Sequence, residues 1–130
     1  MGFLEGDPLS DEQCLTLLGR AQLGRVALSV RALPVVVPVR YMLNDGVLLF
    51  AATGEELTKA LHGSIASLQA DSFDEDSGRR WSVFATGPVA IVESLETVAT
   101  MLSGPPIANV ESSLFRLSPA ILSGRWIDAL

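Results

Sequence analysis

The stretch that most constrains this chain runs from Leu33 to Ala52. Leu33-Pro34-Val35-Val36-Val37-Pro38-Val39-Arg40-Tyr41-Met42-Leu43 is apolar and rich in β-branched residues, which suit a pleated, half-buried strand. Asn44-Asp45-Gly46 follows, and Asp-Gly is a pair that tolerates the positive φ values of a tight hairpin turn. Val47-Leu48-Leu49-Phe50-Ala51-Ala52 then returns as the second arm. Each proline removes a ladder donor, so Pro34 and Pro38 belong at a strand start, an edge or a bulge. Strand alternation puts Val36, Pro38 and Arg40 on one face and Val37, Val39 and Tyr41 on the other.

The rest of the chain organises around this hairpin. Ser10 caps a helix that opens Asp11-Glu12-Gln13, with Gln13 placed to complete a capping box and Gly19 or Gly24 ending the element. Gly24–Val30 reads as a strand. Glu55–Leu61 reads as a short helix, with Leu57 and Leu61 on one face. Ser64–Ala70 is a strand, Asp71–Arg80 a polar loop, and Trp81–Val92 a long strand bent at Gly87-Pro88. Glu93–Leu102 reads as a helix with Ser94 as its cap, broken by Gly104-Pro105-Pro106. Ser113–Gly124 supplies a last strand kinked at Pro119. The expectation is a mainly β fold of about six strands and three short helices, with turn spacing typical of a β-barrel, in one domain over 1–130.

Composition adds limits. Hydrophobic residues make up 48% of the chain and mean hydropathy is +0.38. The apolar runs are too short to span a bilayer, so no membrane is expected and the excess points to a subunit interface. A net charge of −6 argues against nucleic acid as a partner. The first eight residues lack the basic and apolar regions of a signal peptide, and a single cysteine, Cys14, forms no internal disulfide; a cytoplasmic location is the expectation. Cys14 lies beside Leu17 and Leu18 on a helical face, which suits packing better than a reactive thiol.

Most catalytic arrangements fail on the residues. His62 is the one histidine, so neither a nucleophile triad nor an ordinary zinc site is spelled out. It suits a place at the end of the short helix. Asp71–Asp76 lacks the ligand order of a calcium loop. There is no G-x-G-x-x-G after a strand and no Walker loop. Any redox chemistry would therefore come from a cofactor that the protein binds and orients.

The order of segments resembles the pyridoxamine 5′-phosphate oxidase-like family of flavin-binding split barrels, including the branch related to nitroimidazole-resistance proteins. The likeness extends from Ser10 to Gly124. Its marks are Leu23-Gly24-Arg25-Val26-Ala27, Pro34-x-Val36-x-Pro38-Val39-x-Tyr41, Thr53-Gly54, Gln69-Ala70-Asp71, Trp81-Ser82-Val83-x-x-x-Gly87 and Ser123-Gly124-Arg125. The resemblance implies a six-stranded split β-barrel of the flavin-reductase-like, FMN-binding kind. It implies a homodimer with two flavin sites between subunits, and a flavin-dependent oxidoreductase acting on a small-molecule substrate.

It also implies site residues. The flavin ring would lie along the second strand, so Val37, Pro38, Val39, Arg40 and Tyr41 inherit its contacts, with Ala51 on the returning strand and Trp81 and Ser82 as a further contact segment. Val37 and Val39 read equally well as core, and Trp81 as a buried interface residue. Arg40 in an apolar strand calls for an anionic partner, either a ligand or a carboxylate across the dimer. One departure stands out. Relatives follow the hairpin's glycine with a hydroxyl residue and a Lys or Arg that grip the flavin phosphate, and here Glu55-Glu56 stand in that place. Two carboxylates repel a phosphate, although they suit the first turn of a helix. Thr53, Thr58 and Lys59 offer partial compensation. The alternatives are a weakly held FMN, a deazaflavin, or a cofactor-free dimeric barrel with a small-molecule-binding or regulatory role. A haem-like pocket draws little support from His62.

Overall fold

In a computed structural model, which describes residues 6–93 and 112–127, the chain forms helix α1 (Asp11–Arg20), strands β1 (Leu23–Val30), β2 (Leu33–Asn44) and β3 (Val47–Ala52), helix α2 (Glu55–Leu61), and strands β4 (Ile65–Phe73), β5 (Arg80–Ile91), β6 (Ser113–Leu117) and β7 (Ile121–Ile127). All pairings are antiparallel. Six strands close in the order β1-β2-β3-β6-β5-β4, and β7 adds to β5 outside that ring. This is the expected six-stranded split barrel with one strand more.

Two strands hold the halves together by changing partners along their length. β2 pairs with β1 over Leu33–Arg40 and with β3 over Tyr41–Asn44. β5 pairs with β4 and β7 in its first part and with β6 over Val89–Ile91. The exchange on β5 falls at Gly87-Pro88, where the sequence places a bend. Gly87 is obligatory there, because a Cβ would lie 1.9 Å from the Ser118 carbonyl oxygen.

The interior is apolar and continuous. Leu18, Val26, Tyr41, Leu48, Phe50, Leu68, Val83, Phe115 and Leu117 are fully buried, and the Phe50 and Phe115 rings stack with centroids 5.6 Å apart. The capping box forms as expected: the Gln13 N–H donates to Ser10 Oγ and the Ser10 N–H to Gln13 Oε1. Asp45 and Gly46 both take positive φ, 50° and 77°, as the hairpin turn requires. The β1–β2 turn does the same with less suitable residues, Arg31 at 50° and Ala32 at 64°.

Two sequence expectations change, and a third falls outside the described residues. The polar loop shrinks to residues 74–79, because Asp71-Ser72-Phe73 continue β4 and pair with Ser82, Trp81 and Arg80. Their polarity reflects a solvent-facing edge of the sheet and not a break in it. The last strand is interrupted at Ser118-Pro119-Ala120, where the Ala120 N–H bonds the Thr86 carbonyl, and β7 continues along β5 in the same direction as β6. The helix expected over Glu93–Leu102, with its Ser94 cap, lies outside the described residues apart from Glu93.

Candidate functional site

The expected alternation along β2 holds. Pro34, Val36, Pro38 and Arg40 are exposed, Val39 and Tyr41 are buried, and Val37 is half-buried. Val37, Val39 and Tyr41 therefore direct side chains into the barrel. Tyr41 is fixed there by its hydroxyl, which donates to the Leu18 carbonyl at 2.8 Å and ties α1 to the barrel. Burial pushes its phenol above the ordinary tyrosine range, so it stays neutral and hydrogen-bonded. The backbone of all three faces the β1 side: the Tyr41 N–H donates to the Gln22 carbonyl at 3.0 Å, and Val39 and Val37 follow at the same alternation opposite Gly24 and Val26.

Opposite them lies the outer face of the sheet formed by β2, β1, β4, β5 and β7. Register aligns Val36, Ala27, Ser67, Thr86 and Ile121 in one row and Pro38, Arg25, Gln69, Phe84 and Ser123 in the next. Leu23, Val36, Ile65, Phe84 and Ile121 on this face are 40–65% exposed. A polar relay crosses its centre. Arg25 Nη1 donates to Gln69 Oε1 at 2.8 Å and pairs with Asp71 at 3.1 Å, and Gln69 Nε2 donates to Ser82 Oγ at 3.1 Å. Ser82 is only 3% exposed. Because Arg25 occupies the Gln69 oxygen, the amide must turn its N–H toward Ser82, and the Ser82 hydroxyl proton is left to donate outward. Ser67 and Thr86 hydroxyls bond each other at 2.6 Å in the adjoining row. Sequence reading passed over Arg25 and Gln69 as chemistry. The signal was there, since Ser67, Gln69 and Asp71 are the polar residues of an alternating strand.

Arg40 also lies on this outer side. Arg20, Arg25, Arg31, Lys59 and Arg79 each have a carboxylate partner, whereas Arg40 has none among the described residues. It borders a cavity of about 230 Å³ shared with Gly19, Gln22, Tyr41 and Met42. Trp81 is placed elsewhere. It is buried on the opposite face of β5 from Ser82 and lines a separate cavity of about 330 Å³ with Leu17, Arg20 and Asp74.

Past the hairpin, Ala51 is half-buried on β3 beside Met42, Leu49 and Leu114, and Thr53 Oγ1 lies 3.3 Å from Ser112 Oγ. Thr58 is half-buried in α2. Glu55 and Glu56 are not bare charges: Glu55 pairs with Lys59 at 3.1 Å and Glu56 with Arg31 from the β1–β2 turn. The two acids and two bases sum to zero, so this corner neither repels an anion strongly nor offers it a free cation. His62 caps the end of α2, and its Nδ1 accepts from the Ile91 N–H at 3.1 Å. Among the described residues no group of three or more potential ligands is placed to hold a metal ion, and no helix is long and apolar enough to cross a membrane.

The family model described as pyridoxamine 5′-phosphate oxidase matches residues 10–126. The chain belongs to this family. Members of known structure share its fold. The FAD binding protein from Mycobacterium smegmatis superposes with a TM-score of 0.77 at 23% identity, over 93% of this chain and 99% of that one. An FAD-binding protein from Mesorhizobium loti gives 0.74 at 20%, over 94% and 98%. A proposed 5-nitroimidazole antibiotic resistance protein from Bacteroides thetaiotaomicron gives 0.70 at 12%, over 95% and 90%. At these identities the likeness carries the fold alone. A search among curated proteins finds no match. Within the family's barrel, the site residues implied for this chain divide between an outer group (Pro38, Arg40, Ser82), an inner group (Val37, Val39, Tyr41, Trp81) and the hairpin corner (Ala51, Thr53, Thr58, Lys59).

Proposed function

We propose that this protein binds a flavin, FMN in the first place, between two copies of itself, and serves as a flavin-dependent oxidoreductase of the cytoplasm acting on a small molecule. The observation that carries this reading is the outer sheet face, where exposed Val36, Phe84 and Ile121 surround the Arg25–Gln69–Ser82 relay. An apolar face of that kind on a small barrel asks to be covered. A second copy covers the apolar rows, and a ring seated beside β2 and the relay receives the Ser82 hydroxyl and the backbone of β2. Small-molecule sites are built this way, from an apolar surround with a few fixed polar groups. A bound flavin would supply hydride and electron transfer. The protein's share is to seat the ring, to orient it through Gln69 and Ser82, and to exclude water by apolar contact.

The ring half of a flavin fits the residues present; the phosphate half fits poorly, because Lys59 and Arg31 are engaged by Glu55 and Glu56. That observation favours a second reading, a barrel that takes a deazaflavin or no cofactor. Replacing Glu55 by Ser and Glu56 by Lys separates the two. The change frees Arg31 and Lys59 and adds a cation. At low salt FMN affinity is expected to tighten by about 1–3 kcal/mol, while riboflavin, which lacks the phosphate, stays as in the wild type. Equal gains for both ligands, or none for FMN, would place the phosphate elsewhere.

A further inference from the structure

Between α2 and β4 the chain turns within Leu61-His62-Gly63-Ser64, and this turn fixes where the His62 ring goes. His62 at φ −63° and ψ 121° and Gly63 at φ 81° are the central pair of a type II turn. The Ser64 N–H closes it on the Leu61 carbonyl at 3.0 Å, and Ser64 Oγ donates to the same carbonyl at 2.7 Å. Gly63 and Ser64 then stand together opposite Val89. The Gly63 N–H donates to the Val89 carbonyl and the Val89 N–H to the Ser64 carbonyl, both at 2.9 Å. That is a bulge of the glycine type, and it ends the ladder between β4 and β5. Farther along β5, Ile91 turns its N–H to the same side as Val89, past the start of β4. The His62 ring takes the place of the missing carbonyl there, its Nδ1 accepting from the Ile91 N–H at 3.1 Å.

An imidazole accepts only through a bare nitrogen, so this bond requires neutral His62 with its proton on Nε2. Protonation turns Nδ1 into a donor facing a donor, and the bond is lost. The ring is exposed, so protons reach it freely. The charged side chains on the elements that meet here are Glu55 and Lys59 of α2, paired with each other, and Glu56, paired with Arg31. Arg116 lies on β6 opposite Ala90, Glu93 just past β5, and β4 brings no charge before Asp71. None of these takes the Ile91 N–H, so the ring's own proton decides the contact. We propose that His62 is an acid-sensitive clasp: neutral, it fastens the end of α2 to the end of β5, and protonated, it lets that seam loosen. The helix is otherwise seated on the barrel by buried Leu61 and half-buried Leu57 and Ala60. The contact is present above the ordinary histidine range, near about pH 6.5, and is lost as pH falls through it.

NMR of the whole chain tests the clasp. At about pH 7.5 the imidazole nitrogens are expected to show the proton on Nε2, and exchange of the Ile91 amide, corrected for its intrinsic rate, to be about fivefold or more slower than at about pH 5.5. His62→Asn sets an amide oxygen near the place of Nδ1, an acceptor that acid does not remove, so its Ile91 protection is expected to stay level across this range. His62→Phe keeps a ring without an acceptor, and its protection is expected to be low throughout. A proton on Nδ1 above the histidine range, or wild-type protection that does not fall with acid, overturns the clasp. So does a His62→Asn variant that loses protection as the wild type does, because another group would then be titrating, and so does a His62→Phe variant as well protected as the wild type. If His62→Phe fails to fold, the wild-type measurements decide alone.

Discussion

At the scale of single residues, the structure separates side chains that hold the barrel from those that face a ligand. Tyr41 belongs to the first kind. Tyr41→Phe removes the buried bond to the Leu18 carbonyl, and a loss of about 1–2 kcal/mol in denaturant unfolding is expected. Flavin affinity should not move, because the ring lies inside the barrel; a parallel loss of affinity would mean the hydroxyl serves the site. Ala32 carries strain. Its φ of 64° lies in the left-handed region that L side chains disfavour. Ala32→Gly relieves it, and a gain of about 1 kcal/mol in stability is expected by chemical denaturation. Destabilisation would show that the turn is set by contacts and not by backbone preference. Arg40 has no carboxylate partner among the described residues, and the anionic partner its apolar strand calls for lies outside them.

At the scale of elements, the clearest readings in the sequence were those where local chemistry and tertiary structure agree. The hairpin, α2 and the capping box of α1 fall where Asp45-Gly46, Gly54 and Ser10 put them. Legibility failed where polarity was taken for a loop. Asp71 and Ser72 are polar because they sit on the exposed end of β4, and a strand can be polar wherever its face meets solvent. The kink expected at Pro119 is there: Ser118-Pro119-Ala120 interrupts the strand, and β6 and β7 run in one direction along β5. The Ser118 and Ala120 N–H groups donate to the Pro88 and Thr86 carbonyls and hold that interruption in place, and no local pattern encodes those contacts. The bend expected at Gly87-Pro88 falls where β5 changes partner from β7 to β6. Gly87→Ala drives a methyl group against the Ser118 carbonyl, and a loss of about 3 kcal/mol or more, or failure to fold, is expected. Wild-type thermal stability in that variant would mean that β5 and the Ser118 turn do not meet this closely.

At the scale of the whole molecule, the site implied by the sequence is not one pocket of one chain. The outer group and the hairpin corner lie on different parts of the barrel, Trp81 lies on another face, and the relay that joins Arg25 to Ser82 became visible only once β1, β4 and β5 were aligned. An interface between two copies would cover the outer face and complete the site. Lysine at Val36 and Ile121, both more than 60% exposed, should leave the barrel folded and convert a dimer to a monomer in sedimentation. Unchanged mass would remove this face from the interface. The most direct test of the flavin reading is a titration of the purified protein with FMN, read by quenching of flavin fluorescence. Saturable binding of one FMN per chain, lost together with the dimer in the Val36→Lys/Ile121→Lys variant, is the expected result. Fluorescence that stays at the free-flavin level through micromolar protein, for FMN and FAD alike, would contradict it.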